Sequence, residues 1–241
     1  MYGWRGRIGL LVPSINTTME PELWQLAPNG VSVHSARIAG GREGTPETLH
    51  SMEEEGRRAA GPLAMVQPDV VVYACTSGSF FEGPEWNGRI CRELTAITGA
   101  PTVTTAGAMV AALRATGQRR IDLVTPYVSL TNERLKTFLG AYDITVGGFG
   151  TFDMLDMFDH AAIEPIEIYH KVRTAVRPDS DAVFIACTQL RALEMLEILE
   201  RDLGKPVYSA VQATAWQAFR TLGIDPNVRD HGSLLRDFPP E

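Results

Sequence analysis

The stretch Asp69-Val-Val-Val-Tyr-Ala-Cys75-Thr76 has a second copy, Asp181-Ala-Val-Phe-Ile-Ala-Cys187-Thr188, which lies 112 residues further along the chain. Each copy consists of an aspartate, four apolar residues, an alanine, a cysteine and a threonine, in that order. A short apolar run of this kind is typical of a strand that is buried on both faces of a sheet. The repeat therefore predicts two copies of one structural unit, each with a thiol at the end of its central strand.

The segments around both copies predict an α/β fold with parallel sheets. Short apolar strands alternate with helix-length segments, which indicates βα units. We expect two similar lobes that face each other across a cleft. Residues 1–114 form the first lobe, residues 115–210 form the second, and the C-terminal helix and tail, residues 211–241, pack on the first. Ligands of parallel sheets bind beyond the carboxyl ends of the strands, so we place the functional site in the cleft.

The composition argues against several classes of function. The chain of 241 residues carries a net charge of −7 and has a pI near 5.3, whereas a nucleic-acid-binding surface is basic. Its N-terminal apolar run is too short for a signal peptide, and no segment reaches the roughly 18 apolar residues of a membrane span. We therefore expect a cytoplasmic protein with reduced thiols that acts on a small molecule, without a nucleic acid or membrane partner.

Cys75 and Cys187 are the main candidates for catalysis. Both occur in an Ala-Cys-Thr sequence, and each precedes a predicted helix. The N-terminus of a helix lowers a thiol pKa from about 8.5 toward neutrality, so that a thiolate becomes available as nucleophile or base. The alternatives are two buried structural thiols or a disulfide, and the cysteine and histidine spacings match no zinc motif. Cys91, in contrast, is predicted to be a packed helix residue.

Polar residues at the same strand ends predict a binding site for a carboxylate. Hydroxyl groups and backbone amides at the start of a helix suit an anion. Asn16 is either a cap for its own turn or a ligand for the substrate, and the hydroxyl of Tyr127 is expected to point into the cleft. The predicted substrate-binding residues are Pro13, Asn16, Thr76, Ser77, Tyr127 and Thr188.

Other residues that could carry chemistry receive structural interpretations. The five histidines, His34, His50, His160, His170 and His231, are predicted to be surface or capping residues. The acidic side chains of Asp153, Asp156 and Asp159 are predicted to lie on a solvated loop and not to hold a metal ion. Residues 40–44 are glycine-rich and form a candidate lid, but they match neither a dinucleotide-binding nor a Walker motif. We predict no metal and no cofactor.

Four motifs resemble the aspartate/glutamate racemase superfamily, and within it the branch of maleate cis–trans isomerases and arylmalonate decarboxylases. These motifs are Val12-Pro13-Ser14-Ile15-Asn16-Thr17-Thr18-Met19-Glu20, Cys75-Thr76-Ser77-Gly78-Ser79, Thr125-Pro126-Tyr127 with Asn132-Glu133-Arg134-Leu135 after it, and Ala186-Cys187-Thr188. The resemblance covers nearly the whole chain, in order. It implies a cofactor-independent enzyme of two pseudo-symmetric, flavodoxin-like lobes with the active site between them.

The resemblance also implies a reaction. In maleate isomerases the cysteine that matches Cys75 adds to the double bond, and the cysteine that matches Cys187 handles the proton. The former double bond rotates as a single bond before the first thiol is expelled. Residues that match Asn16 and Tyr127 hold a carboxylate. We therefore expect an isomerase of small carboxylic acids, with maleate to fumarate as the specific reaction.

Three alternatives stay open at this point. The chain could be a racemase of aspartate, glutamate or hydantoin type, an arylmalonate-type decarboxylase, or a non-catalytic carboxylate-binding module. Decarboxylases of this branch lack the first cysteine, so Cys75 argues against them. Met157, however, falls where isomerases carry a second carboxylate-binding asparagine, which points to a bulkier or monocarboxylic substrate. Relatives of this kind are often oligomers, and a homo-oligomer fits the resemblance.

Overall fold

The computed structural model describes residues 2–238 and contains two four-stranded parallel sheets. Both sheets have the same topology, because the first strand of each lies between the second and the third. The strands of the first sheet are β1 (Gly6–Pro13), β2 (Val31–Ile38), β3 (Val70–Tyr73) and β4 (Thr102–Thr104), and those of the second are β5 (Arg120–Thr125), β6 (Thr145–Thr151), β7 (Ala182–Ile185) and β8 (Val207–Ser209). This confirms the predicted α/β class with two similar parallel sheets.

Helices cover both sheets and follow most of the strands. The first long helix, after β2, begins as the sequence predicts, with the Thr45 side chain accepting a hydrogen bond from Thr48 N at 3.3 Å and with Pro46 in its first turn. The helices are α1 (Met19–Leu26), α2 (Pro46–Ala64), α3 (Thr76–Phe80), α4 (Pro84–Thr98), α5 (Thr105–Ala115), α6 (Ser129–Gly140), α7 (Pro165–Ala175), α8 (Leu196–Leu203), α9 (Ala210–Leu222) and α10 (Ser233–Asp237), with 3₁₀ turns at Asp159–Ala162 and Leu193–Met195. None of the helices in residues 2–238 has the length and apolar character needed to cross a bilayer.

The two copies of the repeat form β3 and β7, the third strand of each sheet. All four residues of each strand are buried, which explains why the repeat is apolar throughout. The aspartate before each strand has a structural role. Asp69 accepts a hydrogen bond from Arg7 N at 2.8 Å, and Asp181 accepts bonds from Arg119 N at 2.9 Å and Arg120 N at 2.7 Å. Each aspartate thereby joins its strand to the start of the neighbouring strand, β1 or β5.

One predicted element boundary was wrong. The helix expected directly after Cys187 begins only at Leu196, after a turn and a 3₁₀ segment. Residues that would form its first turn are held elsewhere, since the carbonyl of Gln189 accepts a hydrogen bond from Thr18 Oγ1 at 3.0 Å.

The division of the chain at residues 114/115 and 210/211 stays a prediction. The first sheet spans residues 6–104 and the second spans residues 120–209. Helix α9 packs against α5, α1 and β3, which all belong to the predicted first lobe, and it also touches β8. Of the predicted ranges, residue 1 and residues 239–241 lie outside the described residues.

Candidate active site

A small, partly open cavity lies where the carboxyl ends of the strands of both sheets meet. Its walls come from both halves of the chain, as expected for two sheets that direct their strand ends at one another. The lining residues are Pro13, Ile15, Asn16, Met52, Cys75, Thr76, Ser77, Tyr127, Met157, His160, Cys187, Thr188 and Gln189. All eight residues that the sequence proposed for catalysis or substrate binding therefore line one cavity.

Cys75 lies at the N-terminus of the short helix α3, as predicted, and its sulfur faces hydrogen-bond donors. Sγ accepts a bond from Gly78 N at 3.3 Å, and Ser77 Oγ lies 3.8 Å away. Nevertheless, burial raises the pKa of the Cys75 thiol above its ordinary value of 9.0. The expectation of a lowered pKa was therefore wrong for the free protein, because desolvation of the thiolate outweighs these donors.

Cys187 has a different environment. No helix starts behind it, and its Sγ accepts a hydrogen bond from Gln189 N at 3.4 Å and lies 3.7 Å from Nδ1 of His160. Burial raises the pKa of Cys187 from 9.0 to about 12. This thiol is protonated at neutral pH in the free protein, which again contradicts the expected lowering of its pKa.

His160 corrects the prediction that every histidine is a surface or capping residue. Its side chain is only 1% exposed and lines the cavity between Tyr127 and Cys187. Burial lowers its pKa below the ordinary 6.5, so the ring is neutral at physiological pH. The sequence does not predict that His160 lies beside Cys187. A helix and a strand separate the two residues along the chain, and their spacing matches no known catalytic motif.

Two hydroxyl groups in the cavity have no partner. The atoms Thr76 Oγ1 and Tyr127 Oη are buried and make no hydrogen bond to any of the described residues. A buried hydroxyl without a partner costs about 1–3 kcal/mol, so such groups are uncommon unless a ligand or water completes them. Burial also raises the pKa of Tyr127 well above 10, which keeps its proton available for donation. The pair therefore offers hydrogen bonds to an oxygen-rich ligand.

Asn16 performs the capping role that the sequence allowed. Its Oδ1 accepts hydrogen bonds from Thr18 N at 3.0 Å and Met19 N at 2.8 Å, which anchors the start of α1. Its Nδ2 donates to Thr188 Oγ1 at 3.1 Å, and this threonine in turn donates to Ala74 O at 3.1 Å. Asn16 and Thr188 thus connect the two cysteine loops through hydrogen bonds while they line the cavity.

Gln189 also belongs to the cavity wall. Its side chain accepts a hydrogen bond from Thr17 N at 2.9 Å and donates one to Ile15 O at 2.9 Å. These bonds hold the loop after β7 against the turn after β1. Gln189 therefore fixes the position of Cys187 relative to the first half of the chain.

The lining includes three apolar side chains, Ile15, Met52 and Met157, which we call the apolar side of the cavity. The glycine-rich loop of residues 40–44 pairs with the segment that carries Met157, because Met157 N donates to Arg42 O at 2.7 Å. The Arg42 side chain forms an ion pair with Asp156 at 2.7 Å, on the solvent-exposed acidic loop that the sequence predicted. Within residues 2–238, no three side chains of histidine, cysteine, aspartate or glutamate are grouped as metal ligands.

Comparison with known proteins identifies relatives along the whole chain. The sequence model of the arylmalonate decarboxylase family matches residues 8–235. A maleate isomerase of Nocardia farcinica is 32% identical over 240 residues, which cover 95% of each chain. A structure of a maleate isomerase of Pseudomonas putida S16 with maleate has a TM-score of 0.93 at 29% identity, covering 98% of this chain and 99% of that one.

A third relative carries chemical information. It is a cysteine-to-serine mutant of the Nocardia farcinica maleate cis–trans isomerase with a covalently bound succinylcysteine intermediate. It superimposes with a TM-score of 0.90 at 31% identity and covers 96% of this chain and 98% of the other.

The chain thus has two parallel α/β sheets, with one buried thiol from each on the wall of a shared cavity, and its fold is that of the isomerases above. With the relatives above, the chain is an isomerase of this fold. It belongs to the arylmalonate decarboxylase family, in the branch that includes the maleate isomerases.

Proposed function

We propose that this enzyme isomerises maleate to fumarate, with Cys75 as the nucleophile and Cys187 as the acid and base. The observation that carries the proposal is the cavity itself, which both thiols line together with two buried hydroxyl groups that lack partners. The succinylcysteine in the related isomerase supports a covalent route of this kind. The expected decarboxylase pattern lacks a thiol at the position of Cys75, so the decarboxylase is not favoured.

The chemistry is an addition followed by an elimination. The thiolate of Cys75 forms a carbon–sulfur bond with one alkene carbon, and the π electrons move to the neighbouring carbon, which takes the proton of Cys187. The bond between the two carbons is now single and rotates. Cys187 then removes a proton from the same carbon, the double bond forms again, and Cys75 leaves with the electrons of the carbon–sulfur bond.

The two sulfur atoms suit these roles because their partners differ. Gly78 N donates a hydrogen bond to Cys75 Sγ, and a donor of this kind stabilises a thiolate. Cys187 has a pKa of about 12, and a thiolate of that pKa is a strong base for a weakly acidic carbon. Because burial raises the pKa of both thiols in the free protein, both start protonated, and Cys75 has to give up its proton to another group of the cavity before it adds to the alkene.

The free hydroxyl groups have a role in the same proposal. One carboxylate of maleate would accept hydrogen bonds from Tyr127 Oη and Thr76 Oγ1, with Ser77, Asn16, Thr188 and Pro13 completing its surroundings. When the thiolate adds, the neighbouring carbon becomes electron-rich and part of its negative charge moves onto this carboxylate. The same hydrogen-bond donors stabilise that charge. The second carboxylate lies toward the side formed by Ile15, Met52 and Met157.

Mass spectrometry of a trapped adduct tests the proposal directly. A Cys187→Ser variant keeps the nucleophile but lacks the thiol that moves the proton, so incubation with maleate should add the mass of one maleic acid to the peptide that contains Cys75. The matched control is the Cys75→Ser variant, which should form no adduct. Absence of any adduct, together with absence of fumarate formation by the unaltered enzyme, would exclude maleate as the substrate.

A further inference from the structure

The mechanism above leaves one titratable side chain of the cavity lining unused, the imidazole of His160. It is 1% exposed and forms part of the 3₁₀ turn Asp159–Ala162, before helix α7. Among the residues that line the cavity, it is the side chain that becomes a cation on protonation, because the lining contains neither arginine nor lysine. A ring in this position is therefore able to affect both the thiol beside it and the charge of a bound anion.

The hydrogen bonds of His160 define which nitrogen carries its proton. Nε2 lies 3.2 Å from Met154 O, and a carbonyl oxygen only accepts hydrogen bonds, so Nε2 carries the hydrogen of the neutral ring. Nδ1 then has a lone pair, and it lies 3.7 Å from Cys187 Sγ. The thiol of Cys187 is consequently the donor in this contact, and the imidazole is the acceptor.

We propose that His160 is the proton acceptor of Cys187, so that the sulfur at the reacting carbon is one half of a thiol–imidazole pair. In this step the Sγ–H bond of Cys187 breaks, an Nδ1–H bond forms on His160, and the sulfur keeps the bonding electrons. The product is a thiolate beside an imidazolium, whose Nε2–H still donates to Met154 O. The reverse transfer restores the thiol, so the step needs no further reactant.

The inference rests on the proposed function, and it supplies what that mechanism lacks. Each turnover passes through a thiolate of Cys187, yet burial makes this thiolate unfavourable in the free protein. When Cys187 has passed its own proton to His160, it can take the proton that Cys75 gives up and deliver that proton to the carbon. The thiolate of Cys187 that remains then faces an imidazolium, which offsets its negative charge and that of the bound dicarboxylate. The ring starts neutral, because burial lowers its pKa, and is therefore ready to accept a proton at neutral pH.

The groups around the ring set the sign of its pH dependence. Tyr127 packs edge-on against it with ring centroids 6.1 Å apart, Cys187 contacts Nδ1, and the carboxylates of Asp156 and Asp159 raise its pKa without overcoming burial. Below its lowered pKa the ring is already protonated in the free enzyme and cannot accept the proton of Cys187. Activity should therefore fall on the acid side, at a pH below the ordinary histidine pKa of 6.5.

Alkylation of Cys187 tests the pair without any substrate. The rate of modification by iodoacetamide at pH 7, followed by mass spectrometry of the Cys187 peptide, should fall about tenfold or more in a His160→Asn variant, because the base that assists ionisation is absent. The control is His170→Asn, which replaces an exposed histidine on α7 and should leave the rate unchanged. Equal rates in the unaltered enzyme and His160→Asn would overturn the proposal.

Kinetics with maleate provide the second measurement. We expect His160→Asn to lower kcat by about 10²- to 10⁴-fold, with KM changed by only a few fold, and to remove the acid limb of the pH profile. A structural role alone would lower activity at every pH and leave the acid limb in place, and that result would contradict the inference. If the unaltered enzyme does not isomerise maleate, the proposed function fails, whereas the alkylation result still decides whether the pair exists.

The unaltered protein also permits a test that needs no variant and does not depend on how His160→Asn folds. Nitrogen NMR of protein labelled with ¹⁵N-histidine should show one buried, neutral ring with its proton on Nε2 at pH 7. A signal from a buried ring with the proton on Nδ1 would mean that the ring donates to Cys187, and it would overturn the assignment.

Discussion

The two cysteine loops come from the same repeated stretch, yet the environments of their sulfur atoms are different. The first loop continues directly into α3, and Cys75 faces donors, namely Gly78 N at 3.3 Å and the hydroxyl of Ser77 at 3.8 Å. The second loop turns away before any helix begins, and Cys187 has a donor in Gln189 N at 3.4 Å and an additional contact with the Nδ1 atom of His160 at 3.7 Å. The sequence repeat therefore explains why the two strands are alike. The residues that follow each strand determine why the two sulfur atoms have different surroundings.

This difference explains how one motif can serve two chemical roles. Both sulfur atoms accept a hydrogen bond from a backbone N–H, which favours a thiolate, but Cys187 also faces a lone pair, which favours its S–H form in the resting protein and can later accept its proton. On this basis we expect Cys75 to form the carbon–sulfur bond and Cys187 to exchange protons. The following predictions test that assignment, beginning with the largest expected effect.

Replacing each thiol should separate the two roles most clearly. Cys75→Ser and Cys187→Ser should each reduce kcat for maleate by at least about 10³-fold, because serine is neither a comparable nucleophile nor a comparable base at neutral pH. Only Cys187→Ser should accumulate a covalent adduct, as judged by intact mass. Cys91→Ser is the matched control and should keep full activity, since Cys91 does not line the cavity. An adduct in Cys75→Ser would reverse the assignment of the two thiols.

Tyr127→Phe should have opposite effects on activity and on stability. Without its hydroxyl a donor to the carboxylate is lost, and we expect kcat/KM to fall about 10²-fold. The free energy of unfolding should increase by about 1 kcal/mol, because the buried hydroxyl has no partner in the free protein. Denaturant unfolding and steady-state kinetics measure the two effects.

The control for that variant is Tyr208→Phe, which removes another buried hydroxyl without a partner, at a position outside the cavity. It should increase stability to a similar extent and leave kcat/KM unchanged. If Tyr127→Phe keeps normal activity, the hydroxyl of Tyr127 does not contact the reacting carboxylate. Its measurable effect is then limited to the lower folding stability of the unaltered protein.

Met157→Asn examines the apolar side of the cavity. The amide would give the second carboxylate of maleate a hydrogen bond, so kcat/KM should rise about two- to tenfold, as expected for one additional hydrogen bond. The backbone of this residue should stay in place, because Met157 N is bonded to Arg42 O at 2.7 Å. Met52→Asn places the same side chain elsewhere on this wall and should give no gain. A loss of activity in Met157→Asn would favour a bulkier or monocarboxylic substrate.

The smallest effect is expected where the glycine-rich loop of residues 40–44 pairs with the segment that carries Met157. Arg42→Ala removes an exposed ion pair with Asp156, so we expect KM to rise about two- to threefold and Tm to stay unchanged. The effect should shrink at high ionic strength, since salt screens exposed charges. Arg58→Ala, which removes exposed pairs on α2 far from the loops, is the control. Identical KM values for both variants would show that the glycine-rich loop does not act as a lid.

The amino-acid sequence predicted much of the site because the relevant residues follow strands. Pro13, Asn16, Tyr127 and the cysteine loops lie at carboxyl ends of parallel strands, and in such sheets these ends converge on one edge. His160 and Met52 could not be found in this way. They come from a 3₁₀ turn and from the second helix, so their approach to the cavity depends on how those elements pack.

The thiol pKa values show the same limit. A cysteine before a helix predicted a lowered pKa, but both sulfur atoms are buried, and desolvation outweighs the backbone donors. Burial depends on residues distant in sequence, so local spacing does not reveal it.

The sequence by itself determined the repeated buried strands, the α/β class and the positions of two thiols at strand ends, because these properties depend on local apolar patterns. Only the tertiary structure decided which side chains face each sulfur, and that His160 stands beside Cys187 and not beside Cys75. The reason is physical: hydrogen-bond partners and desolvation act through space over a few ångströms, between residues that the chain separates by a helix, a strand or a whole lobe.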